Sequence, residues 1–546
     1  MNAVNGTSPN GNAPSYVIAL QSNVYAQVLF GIFAICIGTR VTSSHRFKSI
    51  RDSTGYVTQP PTIPYWIPFV RHALSMAWDT KRFTARCLNQ YGDGAPFFID
   101  AAGRKILVLL DPAQIKRVMN ASTELDPNPF IHDMILGQML GSPKETVDFY
   151  KNDNGRMDEV QMTHIRQHVT GSALVSMSRK VFERLAANIN EFYAQQNTEA
   201  SEWIEVPDLF DFVQHQVTRA ITETLMGSQI THDYPELYAD QWRFMDSSIE
   251  IVMGLPRTVV PAAYAARDRL LANLKRWSRS SEALRTQGKA NTIWDARAGS
   301  GLLQERQERY AQTAGFNEEA RVSQILGLLF AGNSLTPPIS FWYLFEALKD
   351  PLLLEKVSSE IHNNYEPSTQ AYDFGQLTVR PILQSLHAET TRFYSSNVAV
   401  RVVTSKAFAL DDKYVVPEKT LVFIYNRYTG QFTPGWAMAR PNSTTYPLEQ
   451  FWAERFLTGG ERSRFSDANL TGSWTSFGGG EHKCPGRHFA RNIGIATLAV
   501  LLGEYEMDLL DKEAAKKATP RVRDEAFGKM VPTSKVAARM RRRLVR

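Results

Sequence analysis

Residues 476–487 of the chain read SFGGGEHKCPGR, and this glycine-rich stretch constrains the fold more than any other. Its three consecutive glycines allow a tight backbone close to a ligand, including positive φ values. Backbone amides presented by such a loop can point at the sulfur of Cys484 and stabilise a thiolate. Pro485 cannot donate a hydrogen bond, and Gly486 allows a helix over 487–502 to begin against a flat group. The stretch therefore predicts a loop that presents a cysteine sulfur to a flat ligand.

The cysteine content narrows the chemistry of this loop. The chain has three cysteines, Cys36, Cys87 and Cys484, and no two of them have a CxxC spacing. A zinc site built from cysteines and a disulfide framework are both disfavoured at this number and spacing, which suits a reducing compartment. A single cysteine in a glycine-rich loop then needs another chemical explanation.

Two shorter motifs precede the loop. Residues 387–392 read HAETTR and place Glu389 and Arg392 three residues apart, on one face of a helix. Residues 451–456 read FWAERF and supply Arg455. A glutamate held between two arginines forms a hydrogen-bonded ionic network. Each motif alone is weak, but their order and separation before the cysteine loop are hard to obtain by chance.

Together the three motifs resemble the cytochrome P450 superfamily. Phe477, Gly480, Cys484 and Gly486 stand at the spacing of its heme-binding loop, and the glutamate–arginine motif and the ERF segment occur in its order. The resemblance covers most of residues 60–546. It implies that Cys484 is the axial ligand to the iron of heme b, where a thiolate favours O–O cleavage. It also implies that the glutamate and two arginines order the core beneath the heme.

The resemblance also suggests residues for the two heme propionates. Arg401 follows Arg392 at the spacing of a common propionate contact, and His482 occupies a position that is often Arg or His. His164 and His168 lie one helical turn apart, as on the family's propionate-binding helix. For each histidine, an ordinary structural role remains an open alternative.

The predicted distal helix departs from the usual family pattern. Residues 330–342 read FAGNSLTPPISFW, with Ser334 where an acid is usual and Leu335 where a threonine is usual. Ser334 and Thr336, with ordered water, are the candidates for a proton relay. Two prolines at 337 and 338 remove backbone donors and predict a kink. The Pro…Phe-Trp ending is similar to the branch with sterol 7α-hydroxylase and prostacyclin synthase, as is the SSN at 395–397.

The N-terminal part of the sequence predicts a membrane anchor. Asp, Glu, Lys and Arg are absent before Arg40, and residues 16–39 are long enough to span a bilayer as a helix. Basic residues follow the apolar run rather than precede it, which disfavours a cleaved signal peptide and places the bulk of the chain in the cytosol. The predicted order is a lumenal segment (1–15), the anchor, a basic and Pro-rich linker (40–70) and the catalytic domain (71–546). The expected location is the endoplasmic reticulum.

The catalytic region is predicted to be mainly α, of α+β type, as one large heme domain with small β-sheets. Hydrophobic residues make up 43% and charged residues 21% of the chain, and we find no linker or repeat after about residue 70. The net charge is +6, but its basic clusters do not alternate with aromatic residues, so no nucleic-acid partner is expected. The pattern predicts a hairpin over 94–111 and two further strands over 398–403 and 421–425. It also predicts five helices, over 160–182, 209–226, 242–253, 267–277 and 321–348.

The resemblance leaves three functions open. The leading one is a monooxygenase that uses O₂ and electrons from an NADPH-cytochrome P450 reductase to oxidise a lipophilic small molecule, in fungal secondary metabolism. Lys483, Arg487 and Arg491 would form a basic docking face for the reductase. The second function is a heme-thiolate isomerase or dehydratase that acts on a peroxide without a reductase. The third is a heme sensor or electron carrier, because fold does not settle function.

Overall fold

The structure is a computed structural model that describes residues 15–196, 202–366, 368, 371–460, 463–521, 528 and 530–543. The predicted lumenal segment lies almost wholly outside the described residues. Helices dominate the described part, with a π-helix at Ile131–Met139 and 3₁₀ turns at Pro441–Thr444 and Gly480–His482. The α-helices are α1 Ser15–Asp52, α2 Ala73–Tyr91, α3 Pro112–Asn120, α4 Asn128–Phe130, α5 Lys144–Asn152, α6 Arg156–His168, α7 Gly171–Ala194, α8 Leu209–Met226, α9 Ile230–Asp233, α10 Leu237–Asp246, α11 Ser248–Val252, α12 Pro261–Thr286, α13 Gly301–Ala311, α14 Glu318–Asn333, α15 Thr336–Lys349, α16 Pro351–His362, α17 Phe374–Leu377, α18 Pro381–Tyr394, α19 Asn426–Gln431, α20 Thr433–Ala439, α21 Arg487–Gly503 and α22 Lys512–Lys517.

The strands form several small sheets. They are β1 Phe97–Ala101, β2 Arg104–Leu109, β3 Leu125–Asp126, β4 Ile204–Val206, β5 Trp294–Asp295, β6 Gly299–Ser300, β7 Tyr365–Glu366, β8 Ala371–Tyr372, β9 Val398–Val403, β10 Ala407–Ala409, β11 Val415–Pro417, β12 Leu421–Tyr425, β13 Leu457–Thr458, β14 Arg464–Phe465, β15 Tyr505–Leu509, β16 Pro520–Arg521, β17 Val531–Pro532 and β18 Ala538–Arg542. The largest sheet has the order β1-β2-β12-β9-β3, and a second has the order β15-β18-β4. This mainly helical architecture with small sheets confirms the predicted fold class.

Several predicted elements have the observed bounds. α8, β9 and β12 begin and end where the sequence pattern placed them. The predicted hairpin is the antiparallel pair β1–β2, in which Ala102 and Gly103 take positive φ values of 54° and 91° at the turn. The apolar α15 and α21 lie in the core, buried along most of their length, which is why their residues show no polar face.

Three predicted helices are each divided in the structure. The helix predicted over 160–182 is α6 and α7, because the chain turns extended at Thr170 and Gly171 has a φ of 56°. The helix predicted over 242–253 is α10 and α11, with the break at Ser247. Apolar periodicity continued across both breaks, so the pattern could not reveal them.

The third division is the kink expected from the two prolines. The helix predicted over 321–348 is α14 and α15, interrupted at Ser334 and Leu335. The prolines at 337 and 338 lack an N–H, so the carbonyls four residues earlier lose their donors. The helical bonding resumes where the Ile339 amide donates to the Leu335 carbonyl (3.1 Å).

The N-terminal helix α1 has two differently packed halves. Its stretch from Val24 is long and apolar enough to cross a membrane, and the most apolar window of that stretch is not buried. The helix does not end near residue 39 but continues through the basic residues to Asp52. In this second half Ser43 and Phe47 are buried, and the Phe47 ring packs on Tyr91 at 5.1 Å between centroids. The second half of α1 is therefore part of the folded domain.

The Pro-rich segment that follows α1 is paired rather than free. The Ile63 amide donates to the Phe98 carbonyl and the Phe98 amide to the Pro61 carbonyl, both at 2.9 Å. Ser43 Oγ donates to the Tyr65 carbonyl at 3.2 Å. The segment thus adds to the edge of β1 and fixes the direction in which α1 leaves the domain.

Two truncations separate the two roles of α1. Removal of residues 1–39 should release most of the protein from membranes and leave heme incorporation intact, because the packed half of the helix remains. Removal of residues 1–52 should also lower the free energy of unfolding, by about 1.5–3 kcal/mol for the buried Phe47 alone. Membrane flotation and urea unfolding measure the two effects. Full membrane retention of the shorter truncation would contradict the prediction.

Candidate functional site

The cysteine loop is held in a compact turn before α21. The Gly478 amide donates to the Thr475 carbonyl (2.8 Å), and the Cys484 amide donates to the Phe477 carbonyl (2.9 Å). The Lys483 amide donates to the Gly480 carbonyl (3.2 Å). The chain therefore returns over itself and presents Cys484 at the start of α21.

Gly480 of the loop is required by its surroundings. It has a φ of 62°, and a Cβ atom there would lie 1.8 Å from the backbone oxygen of Met119. This constraint is backbone against backbone, so it cannot be relieved by moving a side chain. Gly486 is less constrained, because a Cβ atom there would lie 4.0 Å from Cys484 Sγ, an ordinary contact distance.

The Cys484 thiol is accessible but closely surrounded by protein. Burial raises the pKa of the thiol, while hydrogen bonds from the Gly486 and Arg487 amides lower it. We infer that the sulfur opens into a recess of the fold rather than onto the outer surface. The two amides at the start of α21 supply the stabilisation of a thiolate that the loop sequence predicts.

Beneath the loop, the structure brings Glu389, Arg392 and Arg455 together in a fully buried cluster. Arg392 Nε and Nη2 donate to the two carboxylate oxygens of Glu389 at 2.6 and 2.7 Å, and Arg455 Nε donates to Oε1 at 3.1 Å. The Trp452 amide donates to the same oxygen at 2.9 Å. All three charged side chains have 0% exposure. The carboxylate therefore has partners for both oxygens without water.

The remaining guanidinium protons bind backbone. Arg392 Nη1 donates to the carbonyls of Gly430 (3.0 Å) and Leu448 (2.9 Å). Arg455 donates to the carbonyls of Ser443, Tyr446, Pro447 and Gln450. The cluster thus holds the chain between α20 and the ERF segment through five backbone carbonyls.

Polar side chains that the sequence pattern did not single out tie the loop to this core. Ser476 Oγ donates to the Thr391 carbonyl (3.1 Å), one residue before Arg392. Thr475 Oγ1 donates to Asn426 Oδ1 (3.1 Å). Small hydroxyl residues flanking a glycine run are common, so their partners become visible only in three dimensions.

The distal helix shows a stripe of accessible residues on an otherwise buried element. Between residues 322 and 340, the residues that remain accessible are spaced by one helical turn, and they are Gly327, Leu328, Ala331, Gly332, Leu335 and Thr336. Positions i, i+4 and i+8 lie on one face of a helix. Because the helix lies inside the fold, this stripe lines an internal space with small and apolar side chains.

The two predicted relay residues differ in their position on this helix. Thr336 lies on the stripe, and within the described part of the chain its hydroxyl has no hydrogen-bond partner. Ser340 Oγ donates to the Thr336 carbonyl (2.9 Å) one turn after the kink. Ser334 is buried, with 8% exposure, and lies off the stripe. The structure therefore brings Thr336, but not Ser334, to the internal space.

Two basic side chains, Arg401 and His482, lie at the cysteine loop. Arg401 on β9 is 5% exposed, and Nη2 donates to the Gly479 carbonyl (3.3 Å). Within the described residues its guanidinium has no carboxylate at ion-pair distance, and burial lowers its pKa to about 10. Burial and then the charge of Arg401 lower the pKa of the nearby His482. Such a buried, unpaired cation is suited to an anionic partner.

Arg166 is a second arginine at the loop, and the sequence motifs did not indicate it. Its Nη2 donates to the Glu481 carbonyl at 3.0 Å. His164 and His168, which the resemblance suggested instead, lie two residues to either side, about 200° away around α6. Their ring nitrogens point to Glu305 on α13, at 3.4 and 3.1 Å. An arginine two residues from each histidine was the available signal, but it could not be chosen without knowing which face of α6 meets the loop.

These residues fit a heme. The thiol of Cys484 is accessible at the start of α21, and Gly479 and Gly480 let the loop lie directly against Met119. The unpaired guanidinium of Arg401 is a suitable partner for a propionate. Phe477 lies beside the loop with its ring centroid 6.2 Å from that of His387. The donor set is therefore one thiolate for iron and cationic groups for carboxylates.

Comparison with known proteins gives an independent test. The sequence model of the family described as cytochrome P450 matches residues 60–535. The chain is 28% identical to the cytochrome P450 monooxygenase fsoE of Humicola fuscoatra, over 91% of this chain and 89% of that protein. It is 22% identical to cytochrome P450 7B1 of Mus musculus (83% and 86% covered) and 24% identical to prostacyclin synthase of Rattus norvegicus (89% and 94%). These relatives confirm the branch predicted from the distal helix.

Replacing Glu389 should test the buried cluster. Glu389→Gln keeps the shape but leaves two buried guanidinium groups without their anion, which should cost about 3–5 kcal/mol of unfolding free energy. The matched control is Glu183→Gln, which breaks the exposed pair with Lys180 (2.6 Å) and should cost at most about 1 kcal/mol. Urea unfolding of the detergent-solubilised protein and its heme content measure both. Equal effects of the two substitutions would contradict the assigned role.

Proposed function

The chain belongs to the cytochrome P450 family, and from this premise we propose that it is a heme-thiolate monooxygenase. It inserts one oxygen atom from O₂ into a lipophilic small molecule, of terpenoid, sterol, polyketide or fatty-acid-like type, in secondary metabolism. The observation that carries the proposal is the single thiol of Cys484, which is accessible in a glycine loop but closely surrounded by protein. The fungal monooxygenases among its relatives support the reaction class.

Heme b, when bound, would supply oxygen activation, and a cysteine thiolate on its iron would favour O–O cleavage. In the proposed site Cys484 Sγ would hold the iron, and the amides of Gly486 and Arg487 favour the thiolate by lowering the pKa that burial raises. Arg401, His482 and Arg166 would bind the propionates. The last assignment rests on the contact of Arg166 with the Glu481 carbonyl and replaces the predicted role of His164 and His168.

Proton delivery is assigned to Thr336 with ordered water. Its hydroxyl lies on the accessible stripe, so it can hold a water molecule and pass a proton into the internal space. Leu335 lies beside it and keeps that part of the stripe apolar, which limits the number of waters. A positioned proton donor of this kind contributes typically about 10²–10⁴-fold to a rate.

Electrons come from an NADPH-cytochrome P450 reductase that binds over the cysteine loop. Lys483, Arg487 and Arg491 line a concave surface there, with Asp467 as an acidic neighbour. A net positive surface of this kind steers an acidic partner into place. The location that suits this partner is the cytosolic side of the endoplasmic reticulum, with α1 as a single membrane-spanning helix and its basic half on the cytosolic side.

One observation favours the second candidate, a heme-thiolate isomerase that acts on a peroxide. The stripe has Leu335 where an oxygen-activating pair would contribute a hydroxyl, and an isomerase needs no proton relay. Prostacyclin synthase is one of the relatives. Dependence on a reductase separates the two candidates, because only the monooxygenase needs external electrons.

The iron ligand is tested with the carbon monoxide spectrum. Cys484→Ala should abolish the red-shifted Soret band that thiolate ligation gives to the reduced, carbon monoxide-bound protein. The control is Cys87→Ala, because Cys87 is buried in another cluster and burial raises its pKa to about 12, so it is no thiolate. A retained thiolate spectrum in Cys484→Ala would refute the assignment.

The relay is tested by the coupling of electron use to product. Thr336→Val removes the hydroxyl at nearly constant volume and should raise the NADPH consumed per molecule of product, with release of hydrogen peroxide. Thr336→Ser should restore the coupling, and Ser334→Ala should leave it unchanged because Ser334 lies off the stripe. Product formation without reductase, with unchanged coupling in Thr336→Val, would replace the monooxygenase by the isomerase.

A further inference from the structure

Three side chains with metal-binding atoms converge away from the cysteine loop. His164 and His168 lie one turn apart on α6, and Glu305 lies on the adjacent α13. Their nearest ligand atoms all lie within 4.8 Å of one another. His164 is buried, His168 is half-buried and Glu305 is exposed. The group therefore has one buried ligand, His164, and one ligand that is open to solvent, Glu305.

The distances agree with coordination of one small ion. His164 Nε2 lies 3.4 Å and His168 Nε2 lies 3.1 Å from Glu305 Oε2. Zinc binds histidine nitrogen and carboxylate oxygen at about 2.0–2.2 Å, so the corners of its tetrahedron lie about 3.3–3.5 Å apart. The two histidine–carboxylate separations are close to this edge length, and the two histidine nitrogens lie within 4.8 Å of each other.

The donor types select the metal. Two imidazoles and one carboxylate suit zinc, whereas calcium and magnesium prefer oxygen ligands throughout. Three protein ligands leave a fourth position for water, on the side where Glu305 is exposed. Arg306 and Arg309 on α13 act on His164 as like charges and oppose a bound cation. We therefore expect weaker zinc binding than at a closed structural site with four protein ligands.

We propose that His164, His168 and Glu305 form a three-residue zinc site that links α6 to α13. The same helix α6 carries Arg166, whose guanidinium donates to the Glu481 carbonyl of the cysteine loop at 3.0 Å. A bound zinc ion thus fixes the helix that contacts the loop, from the opposite face. The proposal concerns metal binding and stability, and it does not depend on which substrate the enzyme oxidises.

The test uses the full-length, heme-loaded protein in detergent, without a polyhistidine tag. Each protein is dialysed against buffers of fixed free zinc up to 20 μM, and bound zinc is measured per heme by mass spectrometry. The variants are His168→Ala and Glu305→Gln, which alter accessible side chains. The matched control is His232→Ala, which removes an exposed histidine on the separate helix α9.

The wild type and His232→Ala should bind one more zinc ion per chain than the two cluster variants. Loss of one ligand should lower the affinity for zinc at least about tenfold, because loss of a residue that only hydrogen-bonds to a metal ligand already has an effect of that size. Zinc should also raise the unfolding temperature of the wild type and control, but not of the variants. The carbon monoxide spectrum verifies that each variant keeps its heme loop. Equal zinc content and equal thermal shifts in all four proteins would overturn the proposal, since His164, His168 and Glu305 would then only share hydrogen bonds.

Discussion

A carboxylate buried without water must find all of its partners in the protein, and the proximal half of this molecule is arranged around that requirement. Glu389 receives hydrogen bonds from two arginines and from one backbone amide. Each arginine in turn must use its remaining protons, and only backbone carbonyls are at hand. The irregular chain from 443 to 450 supplies them and is ordered as a result. A buried ionic cluster of this kind adds little net stability but specifies one arrangement, because every alternative leaves a charge unpaired.

The position of the cysteine loop follows from this ordered layer. Ser476 bonds the carbonyl of Thr391, which immediately precedes one of the clustered arginines. Gly480 lies against the backbone of Met119 so closely that no side chain could be accommodated. The loop is therefore fixed on both sides, and the sulfur of Cys484 is held toward the interior with two amide donors behind it. The position of the thiol therefore depends on the buried ionic cluster and on the contact with Met119, neither of which involves the sulfur itself.

The distal side follows a different physical rule, the periodicity of a helix. Most of α14 and α15 is buried, and the accessible residues recur at one-turn spacing. Thr336 continues the one-turn spacing of Leu328 and Gly332 across the kink, whereas Ser334 lies on the buried side of the helix. A departure from the family's usual residues thus has to be judged by the face on which each residue lies.

The sequence by itself determined the family, the fold class and several elements, because spacing along the chain encodes them, and it predicted Cys484 as the iron ligand. Glu389 and Arg392 share a helix face by counting, and β9 and β12 are short runs of β-branched and other apolar residues with clear limits. Only the tertiary structure decided which face of α6 meets the loop, and it brings Arg166 rather than the two histidines against the Glu481 carbonyl. It also decided the breaks at Thr170 and Ser247 and the pairing of the Pro-rich segment with β1. The physical reason is that rotation about a helix axis, chain breaks and edge pairing depend on neighbours distant in sequence, which local periodicity does not record.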